Sequence, residues 1–173
     1  MPKTYTAAGT VAAGDVYTAA AHNIIATDVN NFIVPPACRV YNTAAINPYT
    51  SNALITWNAE EYDTDEMHST VSNTSRITIQ TAGVYSIAVL LRGSWSGTMT
   101  SQAIAIMANG AEHSVHEVFG ISTTVGGSWM TVSTIDDFAA NDYIEARWGL
   151  GGATSPQVLT PSRLAVSWIG RTS

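Results

Sequence analysis

From Cys38 onward the apolar residues fall two apart, the period of a strand with one face turned to a core. "RITIQ" (76–80) puts Ile77 and Ile79 on one face. "VYSIAVLLRGS" (84–94) sets Tyr85, Ile87, Val89 and Leu91 against Val84, Ala88 and Leu90. Both rows are apolar, so both are expected to be covered. "QAIAIMANGAEHSVHEVFG" (102–120) reads as a hairpin about Asn109-Gly110, the type I′ turn pair. "SWMTVSTIDDFA" (128–139) and "DYIEARWG" (142–149) form a second pair across Ala140, Asn141 and Asp142. "CRVYNTA" (38–44) and "ALITW" (53–57) are two earlier runs. "LGGATSPQVLTP" (150–161) reads as a loop before the closing strand "SRLAVSWIG" (162–170). These runs predict eight to ten strands in a sandwich, consistent with a jelly roll.

Ahead of them the period changes. "TAAAHNIIATDVNNF" (18–32) offers one short helix, with Thr18 as cap and Ile25, Val29 and Phe32 at i, i+4, i+7. Val34-Pro35-Pro36 stops it. The expected organisation is an N-terminal arm over 1–35 and a β-domain over 36–173.

Length and charge then narrow the function classes. A chain of 173 residues fits one domain that folds without metal or disulfide. Net charge is −6, Lys3 is the one lysine, and the six arginines are scattered singly. Nucleic-acid binding needs clustered Lys and Arg, so that class is excluded. Cys38 is the only cysteine and sits in an apolar context, where a buried inert thiol is expected. The first residues lack a basic stretch followed by an apolar core, and no apolar run reaches the length of a membrane span. A soluble protein made in the cytoplasm is expected, with no membrane insertion.

The densest chemistry is "EEYDTDEMHS" (60–69), with five carboxylates and His68 in ten residues. Asp63, Asp65 and Glu66 are the oxygen types that calcium takes, but the spacing is not that of an EF-hand. His68 has no second histidine four residues on, and His113 and His116 lie elsewhere. Paired carboxylates also serve glycosidases, which need a defined separation and a saccharide groove that no motif here marks. A solvated connection between strands is the simpler account. Odd spacing places His113 and His116 on opposite strand faces, against a shared metal. No nucleophile elbow or P-loop is present. No catalytic residue, metal site or cofactor is therefore assigned. Among the tryptophans, Trp148 alternates with Ile144 and Ala146 and belongs to the core. Trp95, in "GSWSG" (93–97), is the one expected in an exposed turn.

The ordered series "TW…EEYDTDEMHS…NTSRITIQTAGVYSIAVLLRGS", with Gly83-Val84-Tyr85, Asn109-Gly110, "FAANDYIEARWG" and "SRLAVSWIG", resembles the C1q/TNF-like jelly roll of tailed-bacteriophage virion proteins over roughly 36–170. The segment "GDVYTAAAHNIIATDVNNF" (14–32) is similar to N-terminal segments of phage minor tail and virion proteins. Collagen-like Gly-X-Y repeats, which some members carry, are absent.

The resemblance implies an all-β jelly-roll sandwich behind a short helical arm, assembled as a homotrimer. The two-faced apolar strands agree, because they exceed what one sandwich core hides. It also implies that the acidic window is a structural corner, with Tyr62 packed and Asp63 or Asp65 bonding turn amides. The expected role is a non-enzymatic virion structural protein: a capsid decoration, head-fibre knob or minor tail protein. Its arm would dock on a capsid or tail component through Ile24, Ile25, Val29 and Phe32. The alternative is a carbohydrate-binding host-receptor module at a fibre tip. Its candidate contact with a host surface glycan is Trp95, beside the 120–129 segment.

Overall fold

The structure, a computed structural model, describes residues 34–47 and 49–170 and, in the arm, residues 20, 23 and 29; for 120–125 it describes backbone only. Among the described residues seven strands follow in order: β1 (Ala37–Tyr41), β2 (Ala59–Asp63), β3 (Ile77–Thr78), β4 (Gly83–Ala108), β5 (Ala111–Phe138), β6 (Tyr143–Gly151) and β7 (Thr154–Gly170). All pairings are antiparallel. The fold is the jelly-roll sandwich expected, with fewer and longer strands.

The length of β4 and β5 explains the count. They form one hairpin of 26 and 28 residues about Asn109-Gly110. Both turn residues have positive φ (51° and 80°), as a type I′ turn demands. Register shifts between Ser96 and Met99 and between Met99 and Ser101 bend β4, with Gly97 at φ 76°. Each long strand therefore serves two layers. The first is β2-β1-β7 with β4 up to Ser96 and the second half of β5. The second is β3-β6 with β4 from Ser101 and the first half of β5.

The core lies between these layers. Cys38 and Val40 of β1, Leu164 and Val166 of β7, and Tyr85, Ile87, Val89 and Leu91 of β4 meet Ile104, Ile106, Ile144, Ala146 and Trp148. Each large aliphatic side chain so buried contributes about 1.5–3 kcal/mol. Gly93 shows how close the layers come. A Cβ there would sit 2.4 Å from the Trp148 ring, so the indole needs that glycine.

Three expectations fail locally. "ALITW" is not a strand: Leu54 makes one bridge to Arg147, while Ile55 and Trp57 are buried from irregular backbone. The edge strand is instead Ala59–Asp63, whose exposed carboxylates hid its pairing with β1. The "LGGATSPQVLTP" loop is mostly strand, since β7 starts at Thr154 and pairs with β4 back to Ser96. Pro161 fits because it falls where the β4–β7 register shifts, the kind of place a sheet accepts proline.

Candidate functional site

The acidic window closes on itself. Asp63 accepts the amides of Asp65 (3.2 Å), Met67 (3.0 Å) and His68 (2.9 Å). Thr81 donates to Asp65 at 2.9 Å. The buried ring of His68 lies 2.8 Å from Glu60 and 3.2 Å from the Thr74 carbonyl. Beyond the β2 residues 60–63, the window is a turn built on Asp63, in keeping with the corner that the resemblance implied. Tyr62 departs from that expectation: it is exposed, and Met67 fills the interior. Beside the corner, Arg76 lies 3.1 Å from the buried Glu145 and stacks 4.0 Å over the Tyr143 ring. Among the described residues no group of three or more His, Cys, Asp or Glu is arranged to hold a metal ion.

His113 and His116 correct the alternation argument. The β4–β5 register jumps from Ile106↔Ser114 to Met107↔Glu112, so His113 is the extra residue of a bulge. A bulge resets which way side chains point. Both histidines then reach the second half of β5: His113 lies 3.1 Å from Asp136 and against Phe138, and His116 lies 3.0 Å from the Thr131 carbonyl. They tie the two halves of β5 across the open side of the sandwich.

Of the two tryptophans placed from the sequence, Trp95 departs from expectation and Trp148 meets it. Trp95 is 6% exposed, because β4 continues as strand past Trp95 before it bends, and leaves it on the core-facing side with Leu91. Trp148 is in the core, stacked on Tyr49 at 5.6 Å. The exposed one is Trp129, at 58%, with the Arg92 guanidinium 5.5 Å from its ring. Of the arm residues assigned to anchoring, Val29 is helical and about half exposed. Ile24, Ile25 and Phe32 lie outside the described residues.

Two surfaces stand out by what they leave unpaired. The outer face of the first layer carries Val84, Ala88 and Leu90 of β4, Ala165 of β7 and Ile135 of β5, half-buried to exposed in the single chain. The expectation that both faces of 84–91 are covered therefore fails within one protomer. Across this face lie Arg39, Arg92 and Arg163. Arg39 and Arg163 share Glu61, at 3.5 and 4.0 Å, and Arg92 donates to the Thr160 carbonyl at 3.0 Å. Arg76 and Arg147, by contrast, each have a carboxylate of their own, Glu145 and Glu112. An open groove of about 410 Å³ runs beside Tyr41, Glu61, Pro161 and Arg163.

The second surface is the free side of β5. This strand pairs with β4 alone among the described residues, so no second strand runs along the other side of its 28 residues. Val115, Phe119 (72% exposed), Trp129 and Ile135 (63%) flank that edge. Glu117 and Asp137 lie along it without an ion-pair partner among the described residues. Sequence reasoning touched Trp129 only as part of the 120–129 segment and passed over Val115, Phe119 and Ile135. The signal was there: Trp129, Thr131, Ser133, Ile135 and Asp137 share one strand face, and a face that mixes polar and large apolar residues does not belong in a core.

A curled antiparallel sheet folded over one core, with two strands bent through both layers, is a C1q/TNF-like jelly roll. The globular domain of the zebrafish complement 1qA protein superposes on 79% of this chain and 99% of its own, with TM-score 0.60 and 13% identity. The Eiger TNF of S. frugiperda covers 80% of this chain and 94% of its own, with TM-score 0.56 and 10% identity. At such identity the likeness is one of fold. No protein-family model and no curated sequence matches the chain.

Proposed function

We propose that this chain is a non-enzymatic structural protein whose jelly roll assembles as a homotrimer. In this reading it is an appendage of a phage virion, a capsid decoration, head-fibre knob or minor tail protein docked by its N-terminal arm. The trimer rests on one observation: the free β5 edge, flanked by Phe119, Trp129 and Ile135, is the kind of surface that proteins cover. The non-enzymatic reading is supported by how the titratable groups are used. Asp63, His68 and Glu145 are tied into turn and strand contacts rather than converging on a cleft. The virion assignment rests on the ordered sequence series and on the arm "GDVYTAAAHNIIATDVNNF". Three arms acting together would give avidity on a particle.

The first test is mass in solution. Light scattering should give three times 18.3 kDa at micromolar concentration, and a monomer there would end the trimer reading. The second is location. Antibody-gold labelling of particles should mark capsid or tail, and removal of residues 1–33 should abolish incorporation while the trimer persists.

The alternative, a glycan-binding module, has its own observation. Trp129 presents an exposed ring beside Arg92, a platform that aromatic recognition of sugars uses. A glycan array should show saturable binding lost in Trp129→Ala; silence removes this reading.

A further inference from the structure

We propose that His68 is a proton-operated latch, tying strand β2 to the 69–75 turn while both ring nitrogens carry a proton and freeing the turn when one proton leaves. The latch works within one chain and does not depend on the trimer reading.

The ring is fully buried, and each of its nitrogens faces an acceptor. Nδ1 lies 2.8 Å from the Glu60 carboxylate and Nε2 lies 3.2 Å from the Thr74 carbonyl. A carbonyl oxygen only accepts, an ionised carboxylate only accepts, and a neutral imidazole has a single N–H to donate. A ring with one proton therefore satisfies one of the two contacts. The closed arrangement needs a second proton, and only imidazolium donates from both nitrogens. If that proton sits on the Glu60 side of the 2.8 Å contact, the count is the same. The pair then still holds one proton more than a carboxylate beside a neutral ring.

The charges around the corner suit a positive ring. Glu60 faces it from β2. Asp63 takes the His68 backbone amide, Asp65 is turned to Thr81, and Glu66 lines the same hollow as His68. Arg76, from the segment before β3, lines that hollow too but is engaged by Glu145. Four carboxylates and one engaged guanidinium attract a cation. Release acts at Thr74. Its carbonyl also accepts the amide of the buried Trp57 at 2.9 Å. Nδ1 keeps its proton because the carboxylate is the stronger acceptor. Nε2 loses its own, and two lone pairs then face each other across the 3.2 Å contact. The turn is pushed away there, while Ser75 and Arg76 stay bound to Glu145, so the opening is local. Histidine changes charge between about pH 5 and 8. The latch is closed at the acid end of that window and is lost as pH rises through it.

The experiment reads the ring and the Trp57 amide in the full chain. Nitrogen-15 NMR should show both His68 ring nitrogens protonated at about pH 5.5, and Nε2 bare at about pH 8.5. Over the same range the hydrogen-exchange protection of the Trp57 amide should fall about tenfold. In His68→Gln, which has no titrating ring, that fall should vanish. In Glu60→Gln, which keeps an acceptor but removes its charge, loss of the second proton should move to lower pH. The other three histidines are present in both variants, so the difference from native protein isolates His68. A native His68 ring that carries one proton at about pH 5.5 overturns the latch, whether or not the variants fold. So does Trp57 protection that stays constant in native protein or falls equally in His68→Gln. So does a proton loss that Glu60→Gln leaves where it was.

Discussion

The corner at 60–81 and the free edge of β5 are both rich in groups that a sequence reader takes for chemistry, and the molecule treats them in opposite ways. At the corner, Asp63, Asp65 and His68 find their partners within the same chain, mostly backbone amides and neighbouring side chains. Along β5, no second strand pairs with the free edge among the described residues, Glu117 and Asp137 have no ion-pair partner there, and Val115, Phe119, Trp129 and Ile135 stay exposed. Density of charge is thus a poor guide to function here. A group already satisfied holds the fold, and an exposed, unpaired one is open to a partner.

The corner depends most on Asp63. Asp63→Ala removes an acceptor for three amides and should cost about 3 kcal/mol, read as a lower urea midpoint, while the oligomeric mass stays unchanged. If stability stays native, the corner is not a structural device. Next in size is Tyr49, another internally satisfied group. Burial pushes its phenol up to about 12, against about 10 in an unfolded chain. Below pH 10 both states hold the proton and the contribution is complete. As pH climbs from 10 to 12 the unfolded chain releases its proton first, so about 2 kcal/mol of stability drains away. Tyr49→Phe should flatten that stretch of the pH–stability curve.

On the edge the signs reverse. Trp129→Ser and Ile135→Ser should leave monomer stability within about 0.5 kcal/mol of native, yet each should weaken association tenfold or more. Loss of stability without loss of association would erase the contrast with the corner. The smallest effect is at Cys38. Burial first, and then Asp63 and Glu60, raise its thiol well above the ordinary range. Native protein should resist alkylation that denatured protein undergoes at once.

Much of the fold was legible because its signals are local. Asn109-Gly110 marks its turn, and the alternation of Ile77 with Ile79 and of Leu164 with Trp168 marks core faces. What escaped depends on partners distant in sequence. Trp95 looked like a turn residue because glycines surround it, and only the pairing of β4 with β5 and β7 carries the strand through. β2 was hidden because an edge strand with both faces wet shows no alternation. The bulge at His113 inverted an argument that held for a regular strand. For the candidate site, the legible part was the surplus of apolar residues on 84–91. That β5 has a bare side among the described residues follows from the strand order, which the sequence pattern does not carry.

The long hairpin has one more consequence. Both layers are threaded by strands that run out from a single two-residue turn, so Asn109-Gly110 sets the starting phase for pairing over more than fifty residues. Insert one residue there, and the error travels like a skipped tooth in a zipper until a bulge absorbs it, swapping oily and wet sides in each layer on the way. The ribosome therefore delivers, in two codons, the alignment on which the rest of the molecule is hung.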